Sequence, residues 1–359
     1  MEVVPFLKSL SEASGVSGYE DEVRELVVEA FTPLADEVRT DAMGNVIALK
    51  RGRGKEPRRR IMLAGHMDEI GLMVTLLDKG FLRFTQVGGY DVRTLPGQEV
   101  LVHGRRTLPG VIGSRPPHVL SPAERNKTVP MDQLFIDVGL TSDELEEVVQ
   151  VGDLITIRRP FTELQNGLVA GKAFDDRAAV VSIALCLDML QTLQHEWDVY
   201  AVATVQEEVG LRGATTSTFG VAPDVGIAID VGFGKQPGVT PEYAIELDKG
   251  PSLCIGPNIH PGMFGGLKRA AEENEIPFQT EIETRGTGTD ANAMQITREG
   301  IPTALLSIPL KSMHTSVETI SVKDLQRTGR LMAQFIAALD GLFMDELAWK
   351  RQPPEKEGA

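Results

Sequence analysis

Cysteine is nearly missing from this chain, with two in 359 residues. Cys186 and Cys254 each sit in an apolar segment and read as buried free thiols, not as a disulfide framework or a thiolate metal site. Excess positive charge is also lacking. The formal net charge is −15, and phosphate contacts need basic surface, so a general nucleic-acid binder is excluded. The same acidity serves as an ordinary solubility device. No stretch approaches the ~18 apolar residues of a membrane span. The N-terminus, Met1-Glu2-Val3-Val4-Pro5, has neither the basic flank nor the apolar core of a signal peptide. With the reduced thiols, this leads to an expected cytoplasmic location and no membrane partner. What remains, 42% apolar and 24% charged residues, is the composition of a soluble globular protein. The length is more than one ordinary core needs, so two domains are expected.

The N-terminal part has an α/β character. Val23, Leu26, Val27 and Ala30 fall at helical spacing, and Asn45 to Leu49 reads as a strand. A basic loop follows, from Lys50 to Arg60. It lacks aromatic interleaving and reads as solvated. Ile61 to Gly65 is a buried-type strand that delivers His66 and Asp68. From about Gly71 to Phe161 the pattern changes to short strand-like runs. Leu72 to Leu77 and Phe81 to Thr85 flank Asp78-Lys79-Gly80, a hairpin signal. Glu99 to His103, Val111 to Gly113, Leu134 to Val138 and Leu154 to Ile157 continue the series, and only Thr141 to Val149 looks helical within it. This segment is expected to be a small β domain inserted into the α/β one.

Strand–helix alternation resumes near Gly167. The apolar run Ala178 to Leu190 predicts a mostly buried helix with Asp176 at its start. Val199 to Val205, Val225 to Ile229 and Thr303 to Ile308 predict strands in a sheet covered on both faces. Met263 to Asn274 predicts a helix. Ser321-x-x-Asp324 has the form of a capping box opening a last helix, with Leu325, Leu331, Phe335 and Leu339 inward and Gly341 as a stop. The expected division is 1–70 and 162–350 for a discontinuous α/β domain, 71–161 for the insert, and 351–359 for a disordered tail with Pro353 and Pro354.

The chemistry-bearing residues recur at strand ends. His66 and Asp68 in Gly65-His66-Met67-Asp68 share a face by period-two alternation, so Asp68 is placed to orient a ligating His66. Asp175-Asp176, Glu207-Glu208, Asp230 and His314 complete the set. Singly, each has a duller use as a cap, a solvated strand end or a structural imidazole. Jointly, His66, Glu207-Glu208 and Asp230 follow apolar runs at their C-terminal ends, where ligand crevices of open α/β sheets lie. Burying so many carboxylates is unfavourable without cations. Two His and several carboxylates suit Zn²⁺, Co²⁺ or Mn²⁺.

Taken together, Gly65-His66-Met67-Asp68-Glu69-Ile70-Gly71, Gly171 to Arg177, Gln206-Glu207-Glu208-Val209-Gly210, Asp230-Val231-Gly232, Gly288 to Ala291 and His314-Thr315 resemble metallopeptidase family 42 over nearly the whole chain. Those are aminopeptidases of tetrahedral dodecamers, some once labelled endoglucanases. The resemblance implies a zinc-peptidase-like fold, with a mixed central sheet covered by helices and a PDZ-like β-barrel insert that helps build the oligomer. It implies two divalent ions per subunit, Zn²⁺ or Co²⁺. Asp175 would bridge them, with His66 and Asp230 on one, Glu208 and His314 on the other, and a cis Asp175–Asp176 peptide. Glu207 would be the general acid/base, taking a proton from a metal-bridging water, and Asp68 would orient His66. Substrates would be short peptides with a free N-terminus, and the assembly a dodecamer built from dimers. Thr289 and Asp290 are candidates for lining the substrate crevice, with a turn role as the alternative. His118, in Pro116-Pro117-His118, is a candidate loop residue reaching the site or an ordinary exposed histidine. His103, His195 and His260 are expected to be structural.

Three rivals are weaker. A metal-dependent deacylase or carboxypeptidase would share the cage but does not account for the early β insert. A glycosidase needs two carboxylates flanking a sugar, not a cage. A non-catalytic scaffold has no use for Glu207.

Overall fold

A computed structural model describes residues 1–349, so the expectation for 351–359 lies outside the described residues. The central layer is a mixed eight-stranded sheet. Its order is Glu37–Thr40, Val46–Lys50, Asp198–Thr204, Arg60–His66, Val225–Phe233, Thr303–Leu310, Ser252–Ile255 and Gln279–Ile282. The four strands from Asp198–Thr204 to Thr303–Leu310 run parallel, so their carboxyl ends open on one side. These strands are buried along nearly their whole length. Burial on both faces is why their sequences read as continuous apolar runs without alternation.

Helices cover both faces of the sheet. The helix Phe174–Met189 is buried along almost its entire length because it lies between the sheet and the helix Val322–Ala338. Their close approach requires Gly329, where a Cβ would come within 2.8 Å of the Ser182 carbonyl oxygen. The buried side of Val322–Ala338 includes the expected Leu325, Leu331 and Phe335.

The β-rich segment closes into a six-stranded antiparallel barrel. Its strands are Gly71–Asp78, Phe81–Val87, Glu99–His103, Thr107–Gly113, Phe135–Asp137 and Leu154–Ile157. It has a core of its own, built from residues such as Leu72, Leu82, Val102, Ile136 and Ile155. Its one α-helix, Ser142–Val148, is opened by a true capping box between Thr141 and Glu144.

Several elements differ from expectation for local physical reasons. The Ser321–Asp324 capping box does not form. Ser321 makes no side-chain cap, and Asp324 instead accepts from the backbone N–H groups of Asp248 and Gly250, at 2.6 and 2.8 Å. The helix it opens ends at Ala338, before Gly341. Asp230 does not follow its strand but lies within it, because pairing with Thr303–Leu310 extends the strand to Phe233. The strands Glu37–Thr40, Ser252–Ile255 and Gln279–Ile282 were not expected. They are short, near or at a sheet edge, and partly polar, and neighbouring strands supply the order their own pattern does not encode.

A small three-stranded sheet matters for the site. It pairs Thr162–Glu163, Leu168–Gly171 and Glu318–Ser321, and sets Gly171 opposite Glu318. This brings the segment before Asp175 alongside the segment after His314.

Candidate active site

The parallel strands deliver their polar residues to one cavity of about 220 Å³, lined among others by His66, Asp175, Glu207, Glu208, Asp230 and His314. His66 is the last residue of its strand and is 2% exposed. Its Nε2 lies 3.1 Å from Asp175 Oδ1. Nδ1 faces the Asp68 backbone carbonyl at 3.2 Å and the Asp68 carboxylate at 3.5 Å. The orienting contact expected of the Asp68 side chain is therefore shared with its own carbonyl. The Asp68 carboxylate also accepts from the Ser17 hydroxyl at 2.5 Å and from the Glu207 and Glu208 amides at 3.0 and 3.3 Å. Burial works to raise its pKa, but His66, Ser17 and the Glu207 amide override it and hold the group below the usual carboxylate range.

Asp175 sits between the two imidazoles. One carboxylate oxygen faces His66, and the other lies 3.2 Å from His314 Nε2. The Asp175–Asp176 peptide is cis. His314 Nε2 is also 3.5 Å from Glu208, and its Nδ1 reaches the Gly89 carbonyl at 2.9 Å, at the barrel's edge. Two donor groups compact enough for an ion follow: His66, Asp175 and Asp230; and Asp175, Glu208 and His314. They share only Asp175 and can fill together. A third group, His66, Glu207 and Glu208, takes a residue from each of the others, so it competes with both.

The electrostatics are those of a site short of positive charge. Burial pushes Asp230 well above its ordinary range, and Asp175 adds to the shift. Burial raises Glu207 to about 10 and Glu208 to about 7. His314 is raised to about 9, chiefly by its hydrogen bond to Asp175. Crowded, desolvated carboxylates beside two imidazoles are what a pair of divalent cations would neutralise. On this ground the residues fit such ions.

Not every expected residue reaches the cavity. Thr289 lines it. Asp290 does not: it is 2% exposed, its Oδ2 accepts from the Thr204 hydroxyl at 2.5 Å, and it lies behind the wall. It is the first residue of the short helix Asp290–Gln295. His118 is exposed in a turn of the barrel's long loop and contributes nothing to the wall. His103, His195 and His260 make structural contacts with Thr156, the Trp197 carbonyl and the Gly262 amide.

Other residues matter in ways that sequence reasoning did not foresee. Glu318 is buried and accepts from the amides of Phe174, Asp175 and His314 at 2.7, 3.2 and 3.0 Å. The Asp176 carboxylate accepts from the His66 amide at 3.2 Å. Lys172 Nζ reaches both Glu69 oxygens, at 2.8 and 2.7 Å, with Arg177 on the other side at 3.3 Å. Glu69, Lys172 and Arg177 stand inside the motifs that carry Asp68 and Asp175, which was the available signal. Glu318 had only its position four residues after His314.

A peptide-bond hydrolase built at the carboxyl ends of a mixed sheet is the class that this fold and site define. The sequence model of the M42 glutamyl aminopeptidase family matches residues 44–331, and the chain belongs to that family. A lysyl aminopeptidase of Pyrococcus furiosus is 41% identical to it over 93% of this chain and 96% of that one. The crystal structure of a TET aminopeptidase from a marine sediment archaeon of the Thaumarchaeota superposes with a TM-score of 0.91 at 37% identity, covering 96% of this chain and 99% of that one. The TET1 peptidase of Pyrococcus horikoshii, described as assembling into a tetrahedron or a large octahedral shell, superposes with a TM-score of 0.83 at 32% identity, covering 94% of this chain and all (100%) of that one. The protein is thus an aminopeptidase, a hydrolase. Among the described residues no helix is long and apolar enough to cross a membrane.

Proposed function

We infer that the protein removes N-terminal residues from short peptides with two divalent ions, Zn²⁺ or Co²⁺, held at this cavity. The observation that carries the reading is Asp175, with one oxygen toward each imidazole. His66 and Asp230 would hold one ion, Glu208 and His314 the other, with Asp175 between. The bound ions would supply Lewis acidity to a water and to the scissile carbonyl.

The chain's own residues account for the rest. Glu207 Oε2, 3.8 Å from His66 Nε2, takes the proton of the attacking water and returns it to the leaving amine. Burial raises its proton affinity, and Asp230, Asp290 and Glu208 add to the effect. Its place beside the cavity lets it hand that proton to the leaving nitrogen. Asp68 keeps the His66 ring and the Glu207 and Glu208 backbone in register. The small cavity takes one side chain, which fits removal of single terminal residues.

The same reading assigns 1–70 and 162–350 to the catalytic unit and the barrel insert, 71–161, to building a dodecamer from dimers. Relatives named lysyl and glutamyl aminopeptidase leave the preferred first residue of this chain open.

The test is metal content and turnover of Glu207→Gln. Two ions per chain and a loss of about 10²–10⁴ in rate are expected. A variant with near wild-type turnover removes Glu207 as the base, and a wild type that binds one ion or none removes the dinuclear site.

A further inference from the structure

The carboxylates around the cavity outnumber those that the proposed chemistry uses. Asp175, Glu208 and Asp230 hold ions and Glu207 moves a proton. Glu242, Glu281 and Glu283 line the same cavity, whose wall has no lysine or arginine. Glu281 is the informative one. It lies in the edge strand Gln279–Ile282, and Glu283 follows two residues on, toward the same face.

The Glu281 carboxylate sits over Gly232. A Cβ at Gly232 would crowd Ile245 Cδ1 at 2.8 Å and Ser307 Cβ at 3.0 Å, and would just touch Glu281 Oε2 at 3.4 Å, so the acid lies directly against this strand. Gly232 and Asp230 belong to one extended strand and are two residues apart. They share a face and are separated by about 7 Å. The acid is thus offset from the proposed ion site by a distance that lysine's four-carbon stem can span.

The other oxygen, Glu281 Oε1, is buried and has no hydrogen-bond partner. An unpaired buried carboxylate oxygen is unfavourable unless a donor arrives with the ligand. Burial pushes the Glu281 pKa up and Glu283 adds to it, while Ser307 opposes them. Among the described residues, no lysine, arginine or histidine forms an ion pair with Glu281 or Glu283. Phe233, Ile282 and Met313 are among the apolar residues that line the same cavity. Such walls suit the methylene stem of a long cationic side chain whose head reaches a carboxylate.

Resting on the aminopeptidase reading, we propose that Glu281, with Glu283 and Glu242 lining the same cavity, forms a cation-accepting pocket for the side chain of the substrate's first residue. The enzyme accordingly selects peptides that begin with lysine or arginine over those that begin with neutral or acidic residues of similar size.

The test uses the metal-loaded enzyme and two otherwise identical peptides, one beginning with lysine and one with norleucine, which keeps the stem but lacks the ammonium. Wild type is expected to favour the lysine peptide at least tenfold in kcat/KM. Glu281→Gln is expected to reduce that ratio by tenfold or more. Glu283→Gln, two residues along the chain, shifts the ratio the same way by a smaller factor and serves if Glu281→Gln does not fold. Equal kcat/KM for the two peptides in wild type, or a ratio unmoved by both variants, overturns the proposal. Calorimetric binding of free L-lysine and L-norleucine separates this pocket from the reaction. Tighter lysine binding that Glu281→Gln abolishes supports the pocket even if no peptide is cut, whereas cleavage without lysine preference defeats the pocket and leaves the peptidase standing.

Discussion

Glu318 holds more of the site's geometry than its lack of any proposed ligand role suggests. Its two oxygens accept from amides on both sides of the cavity: Phe174 and Asp175 on one side, His314 on the other. One carboxylate therefore sets the relative position of two proposed ligands that are far apart in sequence. Glutamine at this position keeps the shape but presents one NH₂ group to an amide that needs an acceptor. Glu318→Gln is expected to weaken ion binding by about 10–100-fold, the usual effect of losing a group that orients a ligand. Competition with a chromophoric chelator measures it, and an unchanged affinity would mean that the two loops hold themselves. The thiols provide a second residue-scale check. Burial pushes Cys186 far up and Cys254 to about 12, and neither has a basic neighbour to offset it. Both should resist a thiol reagent at pH 8 in the native protein and react on unfolding. Rapid labelling of a native thiol would contradict their burial. His66, Asp68, Asp175, Glu207 and Glu208 were legible in the sequence because short motifs carry them next to apolar runs. Glu318 and Glu281 were not. They act on groups brought near only by strand pairing, and nothing in their own neighbourhoods marks them.

At the scale of elements, the segment entering the helix Phe174–Met189 is anchored by charge. Lys172 and Arg177 close on Glu69, and all three are buried. Arg177 also donates to the carbonyls of Met67, Ala13 and Leu10, and Lys172 to that of Ala13. The cluster ties the first helix, Val3–Glu12, to the end of the His66 strand and to the Asp175 turn. Removing the carboxylate leaves two buried cations facing each other. Glu69→Leu is expected to destabilise the fold by about 3–5 kcal/mol, read from denaturant midpoints at one protein concentration. A change below about 1 kcal/mol would show that water compensates the cations. The central strands were legible because two-sided burial demands unbroken apolar runs. The strand Gln279–Ile282 was not, because its residues are half exposed or exposed and polar at three of four positions. The Ser321–Asp324 pattern misled for a related reason. Local spacing cannot reveal that the backbone of Asp248 and Gly250 competes for the Asp324 carboxylate. Asp230 was placed past its strand because apolar character stops at Ile229, whereas pairing continues to Phe233.

At the scale of the whole molecule, several large apolar side chains stand exposed. Phe219 is 61% exposed and Ile296 78%, and they flank one surface recess with Thr215 and Thr216. On the barrel, Leu76 and Val111 are 53% and 50% exposed. Exposed apolar groups that share a recess, as Phe219 and Ile296 do, mark contact surfaces, which agrees with the dodecamer proposed above. Charge works against such an assembly, since each copy brings a formal −15 and like charges on approaching copies repel. Screening by salt relieves that repulsion and leaves apolar burial untouched. In metal-replete buffer, light scattering should therefore give a mass of about 470 kDa, twelve times the 39.0 kDa chain. Raising the ionic strength from about 0.05 to 0.5 M should leave that mass unchanged or drive any smaller species toward it. A dimer in metal-replete buffer at all ionic strengths would remove the dodecamer. Dissociation on adding salt would instead assign the contacts to charge pairs rather than to the apolar patches.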